Sequence, residues 1–212
     1  MSLILNLACG ATRPQGEEWI NLDTLRSALR PGTPERTNLD QEERYVEHNL
    51  LHDGMLPFPN EHFDVVVASH CLEHWDCQEG IAIMKDCYRV LKNEGQLIVS
   101  VPDAAYFRAV NDQDIPDLSI HLFGEPIYAP DGEDTFFGYA LWNRYHKAIM
   151  SEDTLWAYFR RAGFHNRNIS KRKYPWPYGS EAFRKAMTVL NRLMFSVILI
   201  GTKGDGEDIQ LN

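Results

Sequence analysis

Three histidines carry the side chains best suited to proton transfer. His70 and His74 lie four residues apart, and His146 follows in the second half of the chain. Imidazole can accept a proton from a reacting hydroxyl near neutral pH, so each histidine is a candidate catalytic base. A structural imidazole is the simpler interpretation of His74, and His146 lies just before a predicted helix.

Two cysteines close to the first two histidines open a second interpretation. Cys71 and Cys77 lie on the same short segment as His70 and His74, and thiols and imidazoles are the usual ligands of zinc. Structural zinc sites draw on two short ligand pairs separated by a loop, and no second pair occurs in this sequence. We therefore expect no metal, and we expect Cys71 to pack in the core.

A different chemistry is indicated near the N-terminus. The run from Leu3 to Ala11 is apolar and closes on small residues, which predicts a buried strand and a tight turn at Gly10. A second short strand, Trp19 to Asp23, ends in a carboxylate. At the ends of adjacent parallel strands such a carboxylate can accept hydrogen bonds from both hydroxyls of a ribose. The alternative is that Asp23 caps a helix from Thr24 to Leu29.

Composition limits the classes of protein to be considered. The 212 residues, 44% hydrophobic, suffice for one globular domain over 1–212. A net charge of −9 argues against a general nucleic-acid surface. No apolar run is long enough for a membrane span, and no basic leader precedes the first strand, so we expect a cytoplasmic protein with reduced thiols.

Strand and helix patterns alternate along the chain, which predicts an α/β fold built on a doubly wound, mostly parallel sheet. Pro31 to Arg44 is predicted to be a loop. Further strands are predicted at Tyr45–Leu50, Val65–Ser69, Gln96–Val101 and Ser196–Thr202, and helices at Gln78–Leu91, after Ser151 and at Ser180–Met194. Gly95 is expected to provide a left-handed cap after the first of these helices.

The region 104–150 is rich in aromatic residues and broken by prolines, glycines and acidic residues. We interpret it as a lid inserted after strand five, in which Tyr106 and Tyr139 shape a substrate pocket. A dimer interface or a secondary core is the alternative. The basic residues between 160 and 173 are expected to form a solvated loop, with a contact to an anionic acceptor as the alternative. Residues 204–212 are expected to form a frayed tail.

Four motifs in order resemble those of class I S-adenosylmethionine (SAM)-dependent methyltransferases, of the type 11-like group. They are Leu5–Ala11, Leu56-Pro57-Phe58, Leu72-Glu73-His74, and Arg89-Val90-Leu91-Lys92 with Gly95. The resemblance implies a Rossmann-like methyltransferase fold whose last strand is antiparallel. It also implies SAM as cofactor, S-adenosylhomocysteine (SAH) as product, and methyl transfer as the reaction.

The resemblance further implies where the ligands lie. Cofactor contacts fall on Asn6, Ala8, Cys9 and Gly10 around the methionine part, on Asp23 for the ribose, on Asn49 and Leu50 for the adenine, and on Ser69 and His70 beneath the sulfonium. Asp53 is close enough to Asn49 to compete for its role. The resemblance also makes His146 the first candidate base, because the similar proteins often have a histidine near the acceptor pocket at this position. Independently of the resemblance, we predict substrate contacts at Asp103, Tyr106 and Tyr139. We expect a small-molecule or glycan-like acceptor methylated at oxygen, by a monomer or homodimer that binds neither nucleic acid nor membrane. A non-catalytic SAM-binding protein is the alternative.

The sequence departs from the family pattern at the first turn. Ala8 and Ala11 stand where glycines are usual, and alanine still allows close approach of a ligand there provided that its backbone φ is not positive. Only about a dozen residues separate Gly10 from Asp23, too few for the usual helix after the first strand. We therefore predict a loop in its place. Both departures disfavour a dinucleotide site, which needs a glycine-rich turn and a helix N-terminus for its pyrophosphate.

Overall fold

The computed structural model describes residues 2–10, 12–24, 26, 29–104, 147–148, 150–172 and 196–204. They contain one seven-stranded sheet with the strand order β3-β2-β1-β4-β5-β7-β6. The strands are β1 (Ile4–Leu7), β2 (Trp19–Asp23), β3 (Tyr45–Glu47), β4 (Phe63–Ser69), β5 (Leu91–Pro102), β6 (Ile169–Arg172) and β7 (Ser196–Thr202). The helices are α1 (Pro34–Asp40), α2 (Cys77–Val90) and α3 (Glu152–Ala162), with short 3₁₀ turns at Leu72–His74 and Asn166–Asn168.

The centre of the sheet is parallel, as the sequence predicts. β1 pairs in parallel with β2 on one side and with β4 on the other, and β4 pairs in parallel with β5. All four residues of β1 are buried, as are Val65 to Ala68 of β4. Strands buried on both faces belong in the middle of a parallel sheet covered by helices. The carboxyl ends of β1, β2 and β4 therefore meet at one edge of the sheet.

The last strand is antiparallel, which confirms the prediction from the motifs. β7 pairs with β5 from Gln96↔Thr202 to Pro102↔Ser196. Its other neighbour is β6, which the sequence analysis missed, and Lys171 lies on this edge strand. The expectation of a solvated basic loop is thus wrong at Ile169–Arg172. A lone Ile169 among polar residues gives no alternating pattern, and the strand forms because β7 offers it a partner.

The loop predicted for Pro31 to Arg44 is also wrong, because the segment contains α1. The Thr33 hydroxyl accepts a hydrogen bond from the Arg36 N–H, and Pro34 occupies the first turn. Proline is favoured at that position since its missing N–H is not needed there. The Thr-Pro pair was therefore a start signal for a helix rather than a sign of irregular structure.

Helix α2 packs with α3 against the sheet and ends one residue before the predicted limit. A capping box between Asp76 and Glu79 starts α2. The residue after the helix, Leu91, has extended backbone and gives no left-handed cap. The left-handed residue further along is Glu94, with φ of 62°, and not Gly95. A Cβ on Gly95 would lie 2.8 Å from the Lys92 carbonyl oxygen and 3.2 Å from that of Asp64. Glycine is thus required at position 95 by close backbone approach, not by a left-handed cap.

Several predictions concern residues outside the described ranges. They include most of the lid at 104–150, the helix at Ser180–Met194, most of the helix at Thr24–Leu29, and the tail beyond residue 204. The single-domain organisation likewise stays a prediction. Among the residues that the structure describes, none of the helices has the length and apolar character needed to cross a membrane.

Candidate functional site

The turn after β1 adopts a strained backbone. Ala8 and Gly10 both have φ of 51°, in the left-handed region. The condition for alanine in this turn, a φ that is not positive, is therefore not met at Ala8, and its Cβ costs roughly 1–2 kcal/mol there. A Cβ on Gly10 would meet no atom within 4 Å, so open space lies above this glycine. The turn thus presents backbone to a free volume.

Asp23 lies directly beside this turn, at the carboxyl end of β2. Its Oδ2 accepts a hydrogen bond from the Gly10 N–H at 2.8 Å, and its Oδ1 accepts one from the Thr24 N–H at 2.6 Å. Burial raises the pKa of the Asp23 carboxyl above its usual value, against the two backbone donors, which lower it. A carboxylate has about four lone-pair positions, so Asp23 can still accept hydrogen bonds from a ligand.

Two buried asparagines hold the segment that follows β1 in place. The described residues between Ala8 and Glu18 form no helix, so this segment depends on side-chain hydrogen bonds. The Asn6 amide nitrogen donates to the Thr12 carbonyl at 2.7 Å and to Asn21 Oδ1 at 3.0 Å. The Asn21 amide nitrogen donates to the Pro14 carbonyl at 3.0 Å and to Glu42 Oε1 at 3.1 Å. Both amide hydrogens of Asn6 are thus used within the protein, and its side chain holds the loop behind the turn.

Arg13 and Cys9 complete the support of the turn. The Arg13 guanidinium donates to the Gly10 carbonyl at 2.7 Å and to Glu42 Oε2 at 2.9 Å. The Cys9 side chain packs with Leu39 and Tyr45, and burial raises the pKa of its thiol. The thiol is therefore neutral and belongs to the core, so Cys9 can face a ligand only through its backbone.

A cleft opens beside Asp23 at the carboxyl ends of β1, β2 and β3. It combines a carboxylate with apolar and aromatic walls, and its lining residues are Ala8, Asp23, Thr24, His48, Asn49, Leu50, Leu51 and Trp75. Four of these, Ala8, Asp23, Asn49 and Leu50, are predicted site residues. Trp75 and His48 were missed: Trp75 directly follows the Leu-Glu-His motif, which was its only signal, and His48 directly follows β3.

The loop after β3 shapes one wall of the cleft. The Asn49 N–H donates to Asp53 Oδ2 at 2.7 Å, while Asn49 Oδ1 accepts from the N–H groups of Leu51 and His52. Asn49 and Asp53 thus tie the loop together from its two ends. Of the two, Asn49 lines the cleft, and Asp53 positions it.

His70 lies beyond the end of β4, next to its last residue Ser69, which is half-buried. The His70 Nε2 is 2.8 Å from the Ser196 hydroxyl, and the His70 Nδ1 is 3.4 Å from Oε1 of the buried Glu73. The φ of His70 is 51°, a strained value for a residue with a side chain. Strained backbone of this kind clusters at functional sites, where the surrounding structure holds it.

His74 and the cysteines show no metal-binding arrangement. His74 closes the 3₁₀ turn, Cys71 is buried and Cys77 is exposed. Within the described part of the chain, no group of three or more His, Cys, Asp or Glu side chains could hold a metal ion.

Most of the residues predicted to contact the methyl acceptor lie outside the described part of the chain. Asp103 follows β5 and is half-buried, whereas His146, Tyr106 and Tyr139 lie outside the described residues. Their roles stay predictions.

Comparison with known proteins identifies the fold and the domain. The family model described as "Methyltransferase domain" matches residues 8–99, which is less than half of the chain but spans the cleft and all four motifs except the first residues of the turn. No curated protein sequence matches the chain.

Solved structures share the fold at low sequence identity. A SAM-dependent methyltransferase from Archaeoglobus fulgidus is 16% identical, with a TM-score of 0.53 over 95% of this chain and 86% of that one. The 1,6-didemethyltoxoflavin-N1-methyltransferase of Burkholderia thailandensis, with bound SAH, is 16% identical, with a TM-score of 0.53 over 96% and 72%. An O-methyltransferase family protein from Burkholderia thailandensis is 16% identical, with a TM-score of 0.51 over 97% and 52%.

The motifs, the strand order and the family match agree. The chain has the Rossmann-like methyltransferase fold, and its residues 8–99 match the methyltransferase-domain family. The matched domain indicates a methyltransferase with SAM as its cofactor. The cleft fits this cofactor, because it joins a carboxylate suited to ribose hydroxyls with apolar and aromatic walls suited to adenine.

The raised pKa of Asp23 gives a prediction for stability. The folded state binds the Asp23 proton more tightly than the unfolded state, so this carboxyl stabilises the fold fully below its ordinary value of 3.8. That contribution is lost as the pH rises through the folded-state pKa. The free energy of unfolding of Asp23→Asn, relative to the wild type, should therefore increase between about pH 4 and pH 7.

Urea unfolding at a series of pH values measures this difference. Asn38→Ala, at an exposed position of α1, changes no titratable group and serves as control. A difference that stays flat or decreases with pH would show that burial does not dominate at Asp23.

Proposed function

We propose that this enzyme transfers the methyl group of SAM to a hydroxyl of a small-molecule or glycan-like acceptor. The observation that carries the proposal is the position of His70, between the buried carboxylate of Glu73 and the hydroxyl of Ser196. A hydroxyl acceptor must lose a proton during the reaction, and a positioned imidazole is the usual group to receive it.

The cofactor half of the site follows from the cleft. Asp23 would accept hydrogen bonds from the ribose hydroxyls, while Asn49, Leu50 and Trp75 would enclose the adenine. The backbone of Ala8, Cys9 and Gly10 would face the methionine part, with Asn6 and Asn21 holding that turn from behind. SAM, when bound, supplies an electrophilic methyl group on a sulfonium.

The acceptor half lies toward β4, β5 and β7. Ser69 and His70 follow the end of β4 and would lie beneath the sulfonium, on the side of the sheet edge where Ser196 begins β7. Holding the acceptor oxygen, the methyl carbon and the sulfur in line supplies much of the acceleration of such a transfer. Asp103, Tyr106 and Tyr139 are proposed acceptor contacts in a lid over 104–150, and His146 is a second candidate base.

Nitrogen is the alternative target atom. The two similar proteins from Burkholderia thailandensis are an N1-methyltransferase and an O-methyltransferase family protein, so the shared fold does not select between them. The acidic net charge of −9 supports a small molecule over nucleic acid as partner. All four cysteines are free thiols, which supports a reducing, cytoplasmic compartment.

A paired acceptor panel tests the proposal. Wild-type enzyme is incubated with radiolabelled SAM and with matched hydroxyl and amine compounds, such as phenol and aniline or catechol and o-phenylenediamine, and with glucose as a glycan-like hydroxyl compound. We expect label only on hydroxyl members, and a loss of about 100-fold with His70→Ala. His165→Ala, at the opposite edge of the sheet before β6, should retain activity. Methylation of amines alone, or of no compound in an extended panel, would contradict the proposal.

A further inference from the structure

Three polar side chains from separate segments meet at the carboxyl edge of the sheet. Ser196 begins β7, His70 follows β4, and Glu73 lies in the 3₁₀ turn behind them. His70 Nε2 is 2.8 Å from Ser196 Oγ, and His70 Nδ1 is 3.4 Å from Glu73 Oε1. The imidazole therefore lies between a carboxyl group on one side and a hydroxyl on the other.

The backbone around these side chains holds them in place. The His70 N–H donates to the Ser100 carbonyl at 2.8 Å, which fixes the left-handed residue against β5. The Glu73 carbonyl accepts from the Ala148 N–H at 3.1 Å, and Ser196 pairs with Pro102 in the sheet. Each of the three side chains is thus anchored by its own main chain.

Glu73 is the most buried of the three groups. Glu73 is 1% exposed, the His70 side chain is 26% exposed, and Ser196 is half-buried at the end of its strand. A buried carboxylate beside one ring nitrogen favours the hydrogen on that nitrogen, Nδ1. Nε2 is then the acceptor of the Ser196 hydroxyl, whose oxygen has two acceptor lone pairs in addition to its one hydrogen.

We propose that Ser196, His70 and Glu73 form a proton relay that deprotonates the acceptor hydroxyl. The relay rests on the proposed function and deepens it, because it assigns Ser196 the contact with the acceptor. Glu73 is a positioning residue that sets the tautomer of His70. The separation of 3.4 Å from Glu73 is long for a hydrogen bond, and contacts of this kind tighten when substrate is bound.

The proton balance is as follows. The acceptor O–H gives its proton to Ser196 Oγ while the Ser196 hydroxyl proton moves to His70 Nε2. The electron pair left on the acceptor oxygen forms the new bond to the methyl carbon, and the pair of the broken C–S bond stays on sulfur. His70 becomes an imidazolium beside Glu73 and releases its proton to solvent after the product leaves.

The tautomer can be measured without any acceptor. In a ¹⁵N-histidine-labelled full-length chain, long-range ¹H–¹⁵N spectra distinguish an imidazole protonated at Nδ1 from one protonated at Nε2. We expect Nδ1–H for neutral His70 in the wild type and in Ser196→Ala. In Glu73→Leu the hydrogen should move to Nε2, because Nδ1 then has no carboxylate beside it. Nε2–H in the wild type would overturn the relay.

Turnover separates the relay from a structural role. With the hydroxyl compound methylated in the panel, Ser196→Ala should lower kcat by about 100-fold and leave the Kd for SAH within about twofold. Ser196→Thr keeps a hydroxyl and should restore most of the loss, and Ser170→Ala on β6 should behave as wild type. Full turnover in Ser196→Ala would overturn the relay. This test does not depend on Glu73→Leu, so it remains decisive if that variant does not fold. If the panel yields only amine methylation, the proposed function fails by that result, and the tautomer still tests the Glu73–His70 arrangement separately.

Discussion

Replacement of Asp23 by alanine is expected to weaken the binding of SAH by roughly 100-fold. The substitution removes an acceptor that the cleft places for two ribose hydroxyls, and each hydrogen bond to a charged group contributes about 1.5–3 kcal/mol. It also releases the Gly10 N–H, which Asp23 holds at 2.8 Å. Isothermal titration calorimetry measures the change directly.

A fragment of the cofactor sharpens this experiment. Methylthioadenosine has the same ribose and adenine but lacks the amino-acid part, so its affinity should fall by the same factor as that of SAH. Asp153→Ala, an exposed carboxylate in the first turn of α3, is the control and should bind both ligands as the wild type does. Unchanged affinity in Asp23→Ala would remove Asp23 from the binding site.

Asn21→Leu is expected to lower the free energy of unfolding by about 3 kcal/mol. Asn21 is fully buried, and its side chain bonds Asn6, Pro14 and Glu42. Leucine has a similar volume but leaves those three partners without their hydrogen bonds, and each unsatisfied buried group costs about 1–3 kcal/mol. Urea unfolding followed by far-ultraviolet circular dichroism measures the loss.

The same substitution should also weaken SAH binding, because the loop behind the first turn is then no longer held. Asn38→Leu, at an exposed position of α1, serves as the matched control and should change stability by no more than about 0.5 kcal/mol. A loss below about 1 kcal/mol in Asn21→Leu would show that the network does not take the place of a helix in supporting the turn.

The central strands could be predicted because a continuous run of apolar residues is enough to indicate a strand buried on both faces. The run from Val65 to Ala68 predicts such a strand, and in the structure these residues are buried in β4. The elements that were missed depend on information of another kind. β6 exists because β7 lies beside it, and α1 begins at a Thr-Pro cap that was interpreted as a loop signal.

Some residues of the candidate site could likewise be predicted from local sequence, and others could not. Gly10 and Asp23 could be brought together from sequence, since each follows a recognisable strand and the ends of adjacent parallel strands meet. Ser196 and His70 are separated by 126 positions and carry no shared pattern. Asn21 looked like an ordinary strand residue, because only the folded chain reveals that its amide supports a loop. Long-range pairing of this kind needs the structure.

A crystal structure of the enzyme grown with SAH tests the cofactor site most directly. We predict density in the cleft, with both ribose hydroxyls within hydrogen-bond distance of the Asp23 carboxylate and the adenine beside Leu50 and Trp75. SAH bound elsewhere, or bound in the cleft with its ribose turned away from Asp23, would contradict that placement.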